Sequence, residues 1–146
     1  MKSHIFKLIL LALLLVACTS TTSGGDGSAL LVTDGTTEKT YSIADLKKLP
    51  VTEATFNEVT YVGVSLATLL EEAGFSTADL SAVKATASDG YSVNYDSGLF
   101  TREDVIVAYE TVDGSLTDDD GTFRMVLPGE EGKLNIRMLA ELKVSQ

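Results

Sequence analysis

Tyr61-Val62-Gly63-Val64-Ser65-Leu66-Ala67-Thr68-Leu69-Leu70-Glu71-Glu72-Ala73-Gly74 carries the chain out of a β segment and into a short helix. Ahead of it, Thr52 to Tyr61 alternates loosely through Thr, Phe and Val as a strand does, and Gly63 reads as a turn. Ser65 caps a helix over Leu66 to Ala73, in which Leu66, Leu69 and Leu70 share one face. Gly74 takes the C′ position, where a left-handed residue closes a helix. Glu71 and Glu72 fall on the outer side as solvated charge.

The flanking sequence adds mostly strands. Ala29 to Thr33, the Asp34-Gly35 pair and Thr36 to Tyr41 read as a hairpin, and Ser42 with Asp45 caps a helix over Ile43 to Leu49 that Pro50 closes. Ala82 to Ser88 and Tyr91 to Tyr95 flank Asp89-Gly90, a second hairpin signal. Val105 to Thr111, Phe123 to Leu127, Leu134 to Met138 and Glu141 to Val144 supply further β segments. About eight short strands with two or three helices make an α+β pattern in which sheets dominate.

The N-terminus reads differently. Lys2 and Lys7 precede an apolar run, Leu8 to Val16, that ends in Leu15-Val16-Ala17-Cys18. The run is shorter than the ~20 residues a membrane-spanning helix needs, so residues 1–17 read as a lipoprotein signal peptide. Cys18 would then become the acylated N-terminus, and two or three acyl chains make anchoring stable. Residues 18–28 form a Thr/Ser/Gly tether without an aliphatic residue, and residues 29–146 form one domain. This places the protein in the cell envelope. It would lie on the periplasmic face of the outer membrane in a Gram-negative cell, since Thr19 follows the cysteine, and otherwise on the outer face of the cell membrane.

Composition narrows the chemistry. Cys18 is the single cysteine, His4 the single histidine, and tryptophan is absent. Acylation at Cys18 and loss of the signal would leave no thiol and no imidazole. A Ser-His-Asp centre and a His- or Cys-ligated metal are then excluded. Processing also takes the formal charge from −10 to −12, because residues 1–17 carry Lys2 and Lys7 and no carboxylate. Such a surface opposes nucleic acid and anionic lipid headgroups. Membrane contact would come from the anchor alone.

In this order and spacing, several segments resemble the molybdopterin-binding domain of the sulfite oxidase family. They are Tyr41 to Leu49, Tyr61 to Gly74, Ala87-Ser88-Asp89-Gly90-Tyr91, Asp113-Gly114, Gly121 to Gly129 and Ile136-Arg137-Met138-Leu139. The resemblance implies a sulfite oxidase-like fold of mixed β-sheets and a pterin-shaped groove. Enzymes of that family hold molybdenum through a cysteine thiolate placed before the Gly-Val-x-Leu helix. Here Val51 to Tyr61 contains no cysteine, so no molybdenum is expected. The domain is also too short for the family's additional cofactor-enclosing segments. The resemblance implies a non-catalytic pterin-binding lipoprotein that acts through a membrane-protein signalling partner. Two alternatives stand beside it: a ligand-free structural or interaction module of the same fold, and a molybdopterin-dependent oxidoreductase.

The candidate ligand residues are Asp89, Gly90, Tyr91, Tyr95, Arg124 and Arg137. A pterin presents its 2-amino and N3–H groups side by side, and Asp89 could accept both. Tyr91 or Tyr95 could stack on the ring, and Gly90 could allow close backbone approach. The same Asp-Gly-Tyr run is equally readable as a hairpin turn. Arg124 lies either on the exposed face of its strand or in a pocket, where its planar fork could bond a carbonyl or an anion. The family pattern has Arg at position 124 and favours a basic residue near the cofactor at position 137. Tyr61 reads as a core-edge residue. Asp118-Asp119-Asp120-Gly121 fails the calcium-loop register and reads as a solvated acidic loop, as do Glu130 and Glu131.

Overall fold

A computed structural model describes residues 28–146. The signal segment, Cys18 and all but the last residue of the tether lie outside the described residues. Ten strands and three short helices occur among them. β1 (Leu30–Thr33), β2 (Glu38–Tyr41), β5 (Ala82–Ala87), β6 (Ser92–Tyr95) and β10 (Leu139–Ser145) form one sheet in the order β2-β1-β10-β5-β6. β1 runs parallel to β10, so the two ends of the domain are joined at the centre of this sheet. β3 (Thr52–Phe56), β4 (Val59–Ser65), β7 (Ile106–Thr111), β8 (Gly114–Ser115) and β9 (Arg124–Val126) form the second, with β8 and β9 both paired to β7.

Local chemistry explains the element ends. Helix α1 covers only Ile43–Leu46, shorter than its sequence suggests, and opens on a capping box between Ser42 and Asp45. The hydrogen bonds from Ser42 and Lys48 hold the Asp45 carboxyl below its usual range. Helix α2 (Leu66–Glu72) is capped by Ser65. It ends with Phe75 N–H donating to Leu70 O, Gly74 N–H donating to Glu71 O, and Gly74 at φ 95°. That is the left-handed closure the sequence implies. The two glutamates in the last turn of α2 are not plain solvated charge. Glu72 accepts the Tyr41 hydroxyl, and Glu71 accepts the Thr77 N–H and hydroxyl, which lower its pKa.

Three readings of the sequence need correction. Thr52 to Tyr61 is a hairpin, because Asn57 (φ 48°) and Glu58 (φ 66°) reverse the chain between β3 and β4. Gly63 is not a turn but lies inside β4, opposite Ala108 of β7 and beside a bulge at Val62/Gly63. A Cβ there would fall on the Val107 carbonyl oxygen and 2.7 Å from Ala108 Cα. Only glycine lets these strands meet. Leu134 to Met138 is no strand either. A 3₁₀ turn over Gly132–Leu134 leads into an irregular run that ends at Met138, with φ 54°.

The main core is one buried cluster that draws on both sheets and on α1 and α2, and includes Leu66, Leu69 and Leu70 with Val107, Tyr109 and Met125. A second, smaller cluster of Ala54, Tyr61, Ile106, Ala108 and Val126 covers the opposite face of the β4–β7 sheet. Both faces of β7 are therefore buried, which accounts for its unbroken Ile-Val-Ala-Tyr run. Arg124 shares the face of Val126, so it too is drawn inside.

Candidate functional site

The site grows from the irregular run at 132–138. Its backbone is pinned along its length. Tyr91 and Tyr95 donate their hydroxyls to the carbonyls of Lys133 (3.0 Å) and Leu134 (2.6 Å). The buried Asn135 side chain accepts from Leu127 N–H at 2.7 Å and donates to the carbonyls of Leu127 and Glu131. Ile136 O accepts from Met125 N–H at 2.7 Å. Met138 is held on both sides, donating to Asp120 O (2.7 Å) and accepting from Ser88 N–H (2.9 Å). Gly121 makes room for it, since a Cβ at that glycine would lie 2.9 Å from Met138 Cα.

The preceding turn is tied down by Arg102. Its guanidinium bonds both oxygens of Asp104 at 2.9 Å, the Glu130 carboxylate at 2.8 Å and Pro128 O at 2.9 Å. This two-pronged contact lowers the Asp104 pKa. Glu130 is thus a structural partner rather than free charge, and Glu131 pairs with Lys133 at 2.7 Å. A left-handed, non-glycine Met138 needs such over-determination to persist. Arg137, between the buried Ile136 and the exposed Met138, is exposed on this fixed backbone with no side-chain partner among the described residues.

Two cavities adjoin at this run. The larger, about 560 Å³, is a groove lined by Asp89, Tyr91, Asp118, Asp119, Lys133 and Arg137 among others. The smaller, about 280 Å³, is lined by Phe56, Asn57, Tyr61, Asp120, Arg124 and Arg137 among others. Gly132, Asn135 and Arg137 line both.

The candidate residues separate accordingly. Asp89, Tyr91 and Arg137 share the groove. Asp89 Oδ1 accepts from Tyr91 N–H at 3.0 Å, and its other oxygen makes no bond within the described chain. Tyr91 is 49% exposed with its hydroxyl tethered, so its ring is held in place while still reachable. Arg124 lies in the adjoining cavity, 4% exposed. Its Nη1 donates to Asp120 Oδ1 at 2.6 Å and to the Tyr61 hydroxyl at 2.8 Å. Its carbon centre lies 4.5 Å from the Tyr61 ring centroid. Nη2 has no protein partner among the described residues.

Tyr95 cannot stack on a ligand. Its ring is fully buried, its hydroxyl is bound to Leu134 O, and burial raises its pKa. Gly90 is a turn glycine at φ 90° with no protein atom within 4 Å of where a Cβ would stand, and it is not among the residues lining either cavity. Asp120 is not solvated. It is 7% exposed, bound to Arg124 and to the Thr117 hydroxyl. Asp118 and Asp119 are exposed, as read from sequence, but they face the groove.

Sequence reasoning missed Asn135 and Lys133 and did not connect Tyr61 with Arg124. A lone amide between Leu134 and Ile136 is the signal that could have found Asn135, because buried amides need partners.

The family described as the oxidoreductase molybdopterin binding domain matches residues 29–146. The chain belongs to that family. Among curated proteins no match is found. Among solved structures, the sulfane dehydrogenase SoxCD from Paracoccus pantotrophus is similar in fold, with a TM-score of 0.67 at 20% identity. The match covers 84% of this chain and 39% of that one. The fold is thus sulfite oxidase-like, and the domain is of the oxidoreductase molybdopterin-binding kind by family.

The residues fit the two halves of the family's cofactor unequally. A carboxylate, an aromatic face and a guanidinium in one groove suit a pterin ring. The described residues contain no thiol or imidazole, and none of their carboxylates form a group of three able to hold a metal ion. That donor set does not fit molybdenum, a soft-ligand site in this family's pattern.

Proposed function

We propose that this domain binds a pterin-like heterocycle in the groove between the β5–β6 turn and the 132–138 run, without catalysis of its own. The observation that carries this reading is the convergence of Asp89, Tyr91 and Arg137 on one groove. In it, the Asp89 carboxylate accepts from the 2-amino and N3–H edge, Arg137 donates to the ring carbonyl, and the Tyr91 face covers the ring. A bound molybdenum would supply oxygen-atom transfer in a member of this family that holds one. The residues here bind and orient the organic ring only.

The lipid anchor at Cys18 would hold the domain at the membrane surface, beside a membrane protein that reads the bound state. The support for it is the apolar run and the Leu15-Val16-Ala17-Cys18 sequence. A Cys18→Ser chain that still sediments with membranes would count against it.

Titration of the full chain in mild detergent with 6-hydroxymethylpterin, followed by pterin fluorescence, tests the ligand. Saturable binding at micromolar concentration is expected, an affinity of roughly −8 kcal/mol. A linear response up to high micromolar ligand would remove the proposal.

A further inference from the structure

The charge around the groove is of the wrong sign for an anionic ligand. Asp89, Asp118 and Asp119 line it together with Lys133 and Arg137. Lys133 is already held by Glu131 at 2.7 Å. In the adjoining cavity Arg124 is met by Asp120 at 2.6 Å, so the chain's own carboxylate already neutralises that guanidinium, although its Nη2 keeps no protein partner among the described residues. Of the two cations lining the groove, only Arg137 is left without an ion pair, against three carboxylates.

From this balance we infer that the groove selects an uncharged, unphosphorylated pterin and rejects its phosphate esters, an inference that rests on the pterin reading of the same site. The backbone that carries these carboxylates is held in place. Asp120 and Gly121 N–H both return to Thr117 O (3.0 and 3.2 Å), and Asp120 O is bound by Met138 N–H at 2.7 Å. These bonds fix the loop that carries Asp118 and Asp119 at the rim. A phosphate monoester brings about two negative charges at neutral pH, into a surface whose net charge is already −10. Its repulsion from the carboxylates at the rim is screened only beyond about 10 Å at ordinary salt. The ring itself is neutral. It offers N–H donors to Asp89 and a carbonyl to Arg137, so it meets the groove without that penalty. The disagreement with the phosphate-bearing cofactor of the family is therefore built into this chain.

The test compares 6-hydroxymethylpterin with its phosphate monoester, titrated into the full chain in non-ionic detergent at low ionic strength. The alcohol is expected to bind at least about tenfold more tightly, a gap that shrinks as salt is added. In the double variant Asp118→Asn/Asp119→Asn the gap should narrow, mainly because the ester binds better. If the ester binds as tightly as the alcohol, the selectivity inference falls while the pterin reading stands. If neither ligand binds, the pterin reading itself fails. A gap unchanged in the double variant would remove these two carboxylates as its cause.

Discussion

Gly63→Ala is expected to be among the most damaging single substitutions in the domain, destabilising it by about 3 kcal/mol or more, the upper end of overpacking costs. The added methyl would fall on the Val107 carbonyl oxygen and lie 2.7 Å from Ala108 Cα. Both obstacles are backbone, so no rotamer change relieves them. Relief requires β4 and β7 to separate where Gly63 faces Ala108, at the centre of the second sheet. Domains are stable by only about 5–15 kcal/mol in total, so the loss would show as a large fall in the urea midpoint. Gly90→Ala is the control. Unlike Gly63 it sits at positive φ, but its surroundings are open, and strain alone costs about 1–2 kcal/mol. Equal midpoints for the two variants would refute the close-approach argument.

Asp120→Ala is expected to cost about 3–5 kcal/mol, because it strands a buried guanidinium. Arg124 would keep the Tyr61 hydroxyl at 2.8 Å and the Tyr61 ring beneath it, but would lose its counter-charge. Thr117 would lose its acceptor, loosening the loop whose Asp120 O accepts from Met138 N–H. The double variant Asp120→Leu/Arg124→Met removes the pair together and should be less destabilised than Asp120→Ala alone, since a buried ion pair is often replaceable by apolar groups. Chemical denaturation of both variants checks this. A double variant less stable than the single would show that the charge pair itself holds the fold.

Local signals read well from sequence. Asp34-Gly35 and Asp89-Gly90 both make the turns their dipeptides imply, with the glycines at φ 92° and 90°. Ser42, Ser65 and Gly74 set the helix ends where a capping argument puts them. Asn57-Glu58 hid the β3–β4 hairpin, because the second position carries glutamate rather than the glycine that marks such turns. The parallel pairing of β1 with β10 joins opposite ends of the domain, and no local pattern encodes it.

The site was legible where exposure decides and obscure where burial does. Asp89, Tyr91 and Arg137 are surface residues near turns, and they share a groove. Tyr95 has the same local sequence credentials as Tyr91, yet it points into the core. Asp120 looked like its acidic neighbours. Its pairing with Arg124, four residues on and across a reversal at Gly121, exists only once the loop is folded.

The central claim is that Asp89 in this groove reads the hydrogen-bond edge of a pterin. Asp89→Asn tests it most directly, because an amide oxygen can still accept from Tyr91 N–H and keep the turn. Measured by equilibrium titration, its affinity for 6-hydroxymethylpterin should fall at least about tenfold, the worth of a hydrogen bond to a charged group, at an unchanged urea midpoint. An affinity equal to that of the unsubstituted chain would contradict the account.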